Sequence, residues 1–311
     1  MKLIAPDYFP SFSCIAGACR HTCCAGWEID IDEDTREYYR TVPGEIGKKL
    51  AENIDDSGEI PCFRMAEGMR CPFLNRDNLC ELVLTLGEES LGQICSDHPR
   101  FRNFFSDRTE IGLGLTCEAA GRLILFWPDP VTLTESLEYE GEDELPDEEA
   151  ELLAVRDRLT AMAQDRSLSI EERIDALLDA SRLHPHENFS RWAEFLQALE
   201  RLDDAWADAL ETLKQPCEKS LGEEWEGPSE QLLVYLLYRH IPGVMDDGDL
   251  AGRIACCALM CRMLRQLLAR QKEITPDAFV ELARLFSSEI EYSDENLDEI
   301  LCEIHAGHQE V

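Results

Sequence analysis

The stretch SCIAGACRHTCCAGW, Ser13 to Trp27, places four cysteines within eleven positions near the start of a 311-residue chain. In a reducing compartment such a density of thiols favours metal binding or thiol chemistry over disulfides. Cys19 and Cys23 are four residues apart, so on a helix they would share one face, and Cys14 could join them from the preceding loop. The adjacent Cys23 and Cys24 would point in different directions, which indicates two centres, or one ligand beside a packed or redox-active thiol.

Further cysteines follow in CPFLNRDNLC (71–80), CSDHPR (95–100) and CEAAGRL (117–123). Thiolates select zinc or iron–sulfur clusters, whereas hard cations prefer oxygen ligands. With Cys62 set aside, eight ordered thiols fit two four-sulfur sites, or one such site with spare cysteines. The alternative is a set of reduced core cysteines. We predict metal ligands among these eight residues: Cys14, Cys19, Cys23, Cys24, Cys71, Cys80, Cys95 and Cys117.

Five later cysteines have a different setting. Cys256, Cys257 and Cys261 lie in IACCALMCRML, an apolar stretch that predicts a buried helix. We therefore expect these three to be core residues.

The predicted fold class is mainly α, with a small cysteine-rich metal-binding N-terminal domain followed by an all-α helical domain. Cysteines and charge divide the chain into residues 1–125, an acidic, proline-containing connector over 126–146, and a helical domain over 147–311. WEIDID (27–32) alternates like a strand, while ELVLTLGEESLGQIC (81–95) has a helical pattern.

Helix signals are clear in the second half of the chain. Ser169 and Glu172 have the spacing of a capping box before the apolar stripe of SIEERIDALLDASRL. The segment NFSRWAEFLQALERL carries a similar stripe that reaches Leu202. Thr275 and Pro276 have the residue types of an N-cap and first helical position for a helix that reaches Ile290.

The chain is strongly acidic. It has 64 acidic and 29 basic residues, a net charge of −35, and 43 of the acidic residues follow position 125. Such a field repels nucleic acid and anionic membranes and would favour a basic or lysine-bearing partner, although a solvated surface that aids solubility is the simpler interpretation. The opening MKLIAPDYFPSF lacks the apolar core of a signal peptide, and no apolar run reaches about 18 residues, so we expect a cytoplasmic protein that does not enter membranes.

The ordered segments SCIAGACRHTCCAGWEIDID, CPFLNRDNLC with LGEESL, CSDHPR and LTCEAAGRL resemble the flagellin lysine-N-methylase family, which is related to cysteine-rich zinc- or iron-chelating domain proteins. QLLVYLLYRHIPGVMDDGD, Gln231 to Asp249, is also similar to a segment of that family. The family more usually has an aromatic residue at the position of His98 and proline at that of Glu118.

The resemblance implies methyl transfer from S-adenosylmethionine to lysine side chains of flagellin or another lysine-bearing protein. It also implies an iron–sulfur cluster, expected to be [4Fe-4S], with zinc as the alternative metal. The eight cysteines named above are the positions to which the family's ligands correspond.

Neither usual signature for binding the methyl donor is present. GLGLTCEAAG (112–121) lacks the preceding apolar strand of a doubly wound nucleotide site, and Gly26 stands where the CxxxCxxC pattern of radical enzymes requires a third cysteine.

Methylation needs a neutral lysine amine, so a base or a desolvating site is required. Candidate bases are Asp30, Asp32, Asp97 and His98, each with a simpler role in a turn or cap, and for His98 also as a metal ligand. Arg100 would contact a carboxylate or the cluster, or pair with a surface acid.

Tyr235 and Arg239 would share a helix face, with core packing as the simpler interpretation. No catalytic or donor-binding residue is assigned. Two function classes stay open: a cluster-dependent protein lysine methyltransferase, and a non-enzymatic zinc- or iron-binding interaction protein.

Overall fold

The computed structural model describes residues 2–137, 144–217 and 219–308. It is mainly helical, with 58% helix and 10% strand, so the predicted class is confirmed at that level. The chain forms two compact units: Ser13–Phe101, and Met1–Phe12 together with Arg102–Val311. We call them the thiol unit and the helical unit. The predicted boundary at residue 125 does not coincide with this division.

The thiol unit contains short elements around a small core. Tyr39, Phe63 and Phe73 lie at the centre of this core, and the Phe63 and Phe73 ring centroids are 5.1 Å apart. Long irregular segments connect the elements, so most cysteines of this unit lie in loops and at helix ends. The elements are α1 (Glu33–Thr41), α2 (Gly44–Asn53), β2 (Ile54–Asp55), β3 (Cys62–Phe63), α3 (Glu81–Leu86) and α4 (Gln93–Asp97), and β2 pairs with β3 antiparallel.

Two expectations for this unit need revision. WEIDID forms no strand; Asp30 makes only an isolated bridge to Cys62. The segment 81–95 is helical, as predicted, but it is divided into α3, a 3-10 turn and α4. Gly87 separates the first two with φ of +98°, a backbone conformation in which a side chain would be strained.

A four-stranded sheet belongs largely to the helical unit, and the sequence analysis did not predict it. β1 (Lys2–Pro6) pairs in parallel with β5 (Arg108–Leu113) and antiparallel with β6 (Leu133–Leu137). The order is β4-β5-β1-β6, where β4 is Arg100–Phe104. This pairing explains why residues before and after the thiol unit join one compact body.

The sheet also changes the expected connector over 126–146. Its described part includes β6, which hydrogen-bonds along the whole of β1 instead of crossing solvent as a linker. Residues 138–143, with much of the acidic run, lie outside the described residues.

The rest of the helical unit is built from helices, as predicted for residues 147 onward. Within the described residues after 144 no strand is present. The helices are α5 (Glu118–Leu125), α6 (Asp147–Ala163), α7 (Ile170–Ser181), α8 (Phe189–Ala198), α9 (Asp204–Glu211), α10 (Glu226–His240), α11 (Val244–Asp247), α12 (Leu250–Ala269), α13 (Pro276–Phe286) and α14 (Asp294–His308), and a π-helix (Ser287–Glu291) follows α13 directly.

The predicted helix starts are confirmed. Ser169 and Glu172 form both hydrogen bonds of the capping box at α7, and the Thr275 side chain accepts from the Ala278 backbone at α13. The stripe of α8 ends earlier than predicted, because the helix stops at Ala198 and Leu202 is 65% exposed.

Helix α12 forms the centre of the helical unit. It contacts α7, α10, α13 and α14, and nearly every side chain in it is buried. Cys256, Cys257 and Cys261 are among the buried residues, which confirms their prediction as core residues.

Candidate functional site

Four of the predicted ligands share the core of the thiol unit. Cys71 is buried in this core, and Cys24, Cys80 and Cys95 pack against it. The Cys71 backbone N–H donates to the Cys24 carbonyl at 2.8 Å, while Cys80 is the N-cap of α3 and Cys95 lies in α4. We call these residues the four-thiol cluster. The four cysteines therefore lie in one region, although they come from the loop before α1 and from three other segments of the chain.

The thiols of this cluster affect one another's ionisation. Burial raises the pKa of Cys95 to about 12, and charge repulsion from the other three thiols adds to the shift. Burial likewise raises the pKa of Cys71 to about 11, with repulsion from Cys24 and Cys80. Cys71 and Cys95 are therefore protonated at neutral pH when no cation lies beside them. A bound metal ion would reverse that balance, because it stabilises thiolates directly.

Cys24 differs from its neighbours. A hydrogen bond from the adjacent Cys23 thiol is the main cause that lowers its pKa to about 7, with contributions from Thr22 and the positive charge of Arg70 against the effect of burial. Cys23 is exposed and Cys24 is half-buried. The two neighbouring thiols therefore differ in exposure, and they also contact each other.

The other predicted ligands lie elsewhere. Cys14 is exposed and its sulfur accepts from the Ala16 backbone at 3.3 Å. Cys19 follows a short 3-10 turn, Ala16–Ala18, and no α-helix extends from it to Cys23, so the two do not share a helix face. Cys117 is the N-cap of α5 and belongs to the helical unit.

The donor chemistry of the four-thiol cluster fits zinc or an iron–sulfur cluster, because both take four thiolates. Over the described ranges, no group of three or more His, Cys, Asp or Glu side chains is already arranged to hold a metal ion. Ligation by the eight predicted cysteines stays a prediction. Cys62 lies in β3 near Glu28, Asp30 and Asp55.

The candidate acids near the cysteine motifs have structural contacts. Asp32 caps α1, where it accepts from the backbone and hydroxyl of Thr35, and it also accepts from the Gln93 backbone at 2.9 Å. His98 ends α4 and is half-buried; burial, with a smaller effect of Arg100, lowers its pKa to about 4. The Arg100 guanidinium donates to the Ser96 carbonyl at 3.1 Å.

A second group of interacting polar side chains surrounds Glu291 in the helical unit, and the sequence analysis missed this carboxylate. Its side chain has no exposed surface. It accepts from the Tyr235 hydroxyl at 2.8 Å, contacts His240 Nε2 at 2.9 Å and pairs with Arg239 Nε at 3.3 Å. The spacing of Tyr235 and Arg239 was the available signal, but their partner lies more than 50 residues away. We call these four residues the Glu291 network.

The network is held in one charge state. Burial alone would raise the pKa of Glu291, but the charge of Arg239 and the hydrogen bond from His240 outweigh it and lower the pKa to about 2. Burial raises the pKa of Tyr235 well above its ordinary value, so its hydroxyl stays neutral. Glu291 ends the π-helix, a rare irregularity that is frequent at functional sites.

A cavity of about 360 Å³ lies in the helical unit beside this network. Its walls come from α10, from α6, from the end of β1 and from the segment that leads into β6. Tyr235 contributes to the wall, and its hydroxyl is bonded to Glu291. Sequence spacing alone could not reveal this cavity, because its walls come from segments more than 200 residues apart.

These observations define a mainly helical, thiol-rich protein with a ligand-sized cavity next to a buried ionic network. Residues 174–309 match the family model described as the FliB lysine N-methylase C-terminal domain. The matched residues contain the whole Glu291 network, and all eight predicted metal ligands precede them.

Known proteins of Salmonella are similar to the chain. The lysine-N-methylase of Salmonella typhimurium is 34% identical over 138 residues, which are 42% of this chain and 34% of the relative. The lysine-N-methylase of Salmonella choleraesuis has the same identity and coverage. The flagellar biosynthetic protein FliU of Salmonella muenchen is 32% identical over 142 residues, 43% of this chain and 83% of the relative.

The chain belongs to the flagellin lysine-N-methylase family. The match spans only about a third of the two relatives named lysine-N-methylase. No solved structure matches the chain. Throughout the described residues, every helix is too short or too polar to cross a membrane.

Proposed function

We propose that the chain is a protein lysine N-methyltransferase that takes its methyl group from S-adenosylmethionine. Its proposed acceptor is flagellin or another lysine-bearing folded protein. The observation that carries this proposal is the family match over 174–309, supported by similarity over 83% of FliU. The acidic composition of the chain supports a lysine-bearing acceptor.

Methyl transfer requires that the acceptor lysine lose its proton. A neutral lysine nitrogen attacks the methyl carbon, the carbon–sulfur bond breaks, and the sulfonium leaves as a neutral thioether. The proton of the lysine ammonium has to pass to a base or to solvent before the attack, since the unperturbed pKa of lysine is about 10.4.

The proposal includes a metal centre, [4Fe-4S] or zinc, in the thiol unit. Cys24, Cys71, Cys80 and Cys95 are the best-supported ligands, because they share one core and have the donor chemistry for either centre. An iron–sulfur cluster would supply electron transfer or orientation of the donor when bound.

One observation favours a second candidate function, a non-enzymatic zinc- or iron-binding interaction protein. The four-thiol cluster packs against the hydrophobic core of a small unit. Metal bonds in that position would stabilise the fold directly, as they do in small zinc domains. A metal with this structural role would not take part in a reaction.

Methyl transfer to a folded acceptor tests the proposal. The full chain, purified without oxygen, should add mass increments of one methylene to lysines of flagellin when S-adenosylmethionine is present. Heat-denatured flagellin provides a matched control, because we expect the enzyme to act on a folded surface. Absence of transfer to flagellin and to a panel of folded lysine-rich proteins would favour the interaction protein.

Comparison of metal forms tests the role of the centre. The same chain is loaded with zinc or with an iron–sulfur cluster, and both forms are shown to be folded by circular dichroism. Activity confined to the iron–sulfur form is the expected result. Equal methylation by the two forms would leave the metal with a structural role only.

A further inference from the structure

The cavity in the helical unit has the size and construction of a small-molecule site. Its volume of about 360 Å³ lies within the range of about 300–1,000 Å³ typical of ligand pockets. One face of α10 forms a wall through Gln231, Val234, Tyr235 and Tyr238, which follow helical spacing. The cavity is therefore built on rigid elements of the fold.

The charges around the cavity favour a cation. Arg156 lines it, but its guanidinium forms a buried bidentate pair with Glu110, with Nη2 donating to Oε1 at 2.8 Å. This pairing cancels the positive charge. Asp157, also in the wall, is exposed at the surface and adds a negative charge. The three groups together carry a net charge of −1 at neutral pH.

Aromatic rings provide the second feature. Tyr8, Tyr235 and Tyr238 all line the cavity and are almost completely buried. Arg156 already lies over the Tyr238 ring, 5.2 Å from its centroid. Neutral tyrosine rings attract cations through their faces by about 0.5–2 kcal/mol and also bury apolar or aromatic surface. The cavity therefore suits a molecule that combines an apolar body with a positive charge.

Gln231 belongs to the same wall and carries a buried hydrogen-bond acceptor. Its amide nitrogen donates to the Trp127 and Asp129 carbonyls at 3.0 and 2.8 Å, which fixes the orientation of the amide group. The opposite atom, Oε1, is buried and has no hydrogen-bond partner among the described residues. An unpaired buried acceptor costs about 1–3 kcal/mol, so a ligand N–H or O–H that reached Oε1 would be stabilised by it.

We propose that this cavity binds the sulfonium methyl donor, S-adenosylmethionine, with its cationic and aromatic parts among the three tyrosines and Asp157. The inference rests on the proposed function, because the donor enters through it. An acceptor lysine shares the positive charge and the apolar stem, but its single side chain fills only part of this volume.

Filling the cavity tests the proposal. Ala161 is exposed on α6 and lines the cavity, so Ala161→Trp should occupy the site without disturbing the core. Ala154 is exposed on the same helix two turns away and does not line the cavity, so Ala154→Trp is the matched control. Equilibrium dialysis of the full chain, purified without oxygen, measures the Kd for S-adenosylmethionine. We expect at least tenfold weaker binding for Ala161→Trp and a change within twofold for Ala154→Trp.

A charge variant tests the cation argument in the same assay. Asp157→Asn should weaken binding of S-adenosylmethionine several-fold and affect S-adenosylhomocysteine less, because the thioether sulfur of this product lacks the positive charge of the sulfonium. Melting temperatures equal to that of the wild type, measured without ligand, would show that Ala161→Trp and Asp157→Asn remain folded.

The outcomes separate this inference from the proposed function. Wild-type affinity for the donor in Ala161→Trp, or no donor binding by the wild-type chain, would overturn the cavity assignment even if lysines are methylated. Loss of acceptor binding without loss of donor binding in Ala161→Trp would also overturn it. Donor binding that Ala161→Trp abolishes, together with no methylation of any acceptor, would sustain the cavity and reject the methyltransferase.

Discussion

At the scale of single residues, burial decides which charges this protein tolerates. Glu291 is kept ionised without solvent because Arg239 and two hydrogen-bonding groups surround it. The Arg239 guanidinium also donates to the Glu291 carbonyl and lies 4.9 Å from the ring centroid of Tyr292. Glu291 and Arg239 are therefore each held by more than one contact.

Loss of the Glu291 charge should destabilise the fold strongly. Glu291→Gln keeps the shape but leaves the Arg239 charge buried without a counter-ion, which should cost about 3–5 kcal/mol. Glu281→Gln is the control, because Glu281 pairs with Arg284 one helical turn away and such pairs contribute about 1 kcal/mol or less. Urea denaturation measures both, and similar losses would contradict a central role for the network.

The ionisation of Glu291 also predicts that the stability of the fold depends on pH. The folded-state pKa of Glu291 is lowered from 4.5 to about 2, so its ionisation stabilises the fold above pH 4.5 and that contribution is lost as pH falls toward 2. The difference in unfolding free energy between wild type and Glu291→Gln should therefore shrink over this interval. A difference that stays constant would show that Glu291 does not titrate there.

The four-thiol cluster leads to a third prediction at this scale. Cys71→Ser should remove bound metal and lower solubility, because serine is a poor ligand for zinc or iron in this setting. Cys62→Ser is the matched control in the same unit, since Cys62 does not pack with the cluster. Metal analysis of the two purified proteins measures the effect. Full metal content in Cys71→Ser would remove this residue from the ligand set.

At the scale of elements, α12 shows how a helix without a polar face is accommodated. Its neighbours α7, α10, α13 and α14 cover it, so almost every position is buried. Arg262 and Arg265 are largely buried as well and pair with Glu171 of α7. The helix is therefore positioned by apolar packing and by ion pairs at its edge.

Substitution of a core cysteine in this helix by serine should have a different effect from substitution of a metal ligand. Cys257 is 1% exposed, so Cys257→Ser should lower stability by about 1–3 kcal/mol through burial of a hydroxyl, with no loss of metal. Cys302→Ser, on the exposed face of α14, should change neither quantity. Thermal denaturation and metal analysis give both readings, and metal loss from Cys257→Ser would place this thiol among the ligands.

At the scale of the whole molecule, the excess of acidic residues dominates. The net charge of −35 produces a long-range attraction for basic surfaces that salt screens within about 10 Å at 0.1 M. Attraction of this kind affects the rate of encounter more than the affinity of the final complex.

Association with the lysine-rich acceptor that we propose should therefore slow as salt rises. We expect the association rate to fall by at least tenfold between about 0.02 and 0.5 M sodium chloride, because screening removes the steering force. Stopped-flow fluorescence measures the rate, and an acceptor with acetylated lysines is the control. A rate that does not depend on ionic strength would exclude electrostatic steering while leaving the fold unaffected.

Sequence patterns determined the local features of this protein. Periodicity and cap residues predicted α7 and α13, and the apolar stretch around Cys257 predicted a buried helix. These features depend on neighbours within a few turns, so local chemistry is enough. Cysteine spacing likewise predicted thiol ligands, and the structure brings four of the eight residues, Cys24, Cys71, Cys80 and Cys95, to one core.

Tertiary structure alone decided the features that join distant segments. β1 pairs with strands more than 100 residues later, and no period in the sequence records such a partner. Glu291 could not be distinguished from the other acidic residues by composition, because its role comes from burial beside Arg239. The cavity beside Tyr235 exists only where four separate segments meet, so its shape and charge are properties of packing.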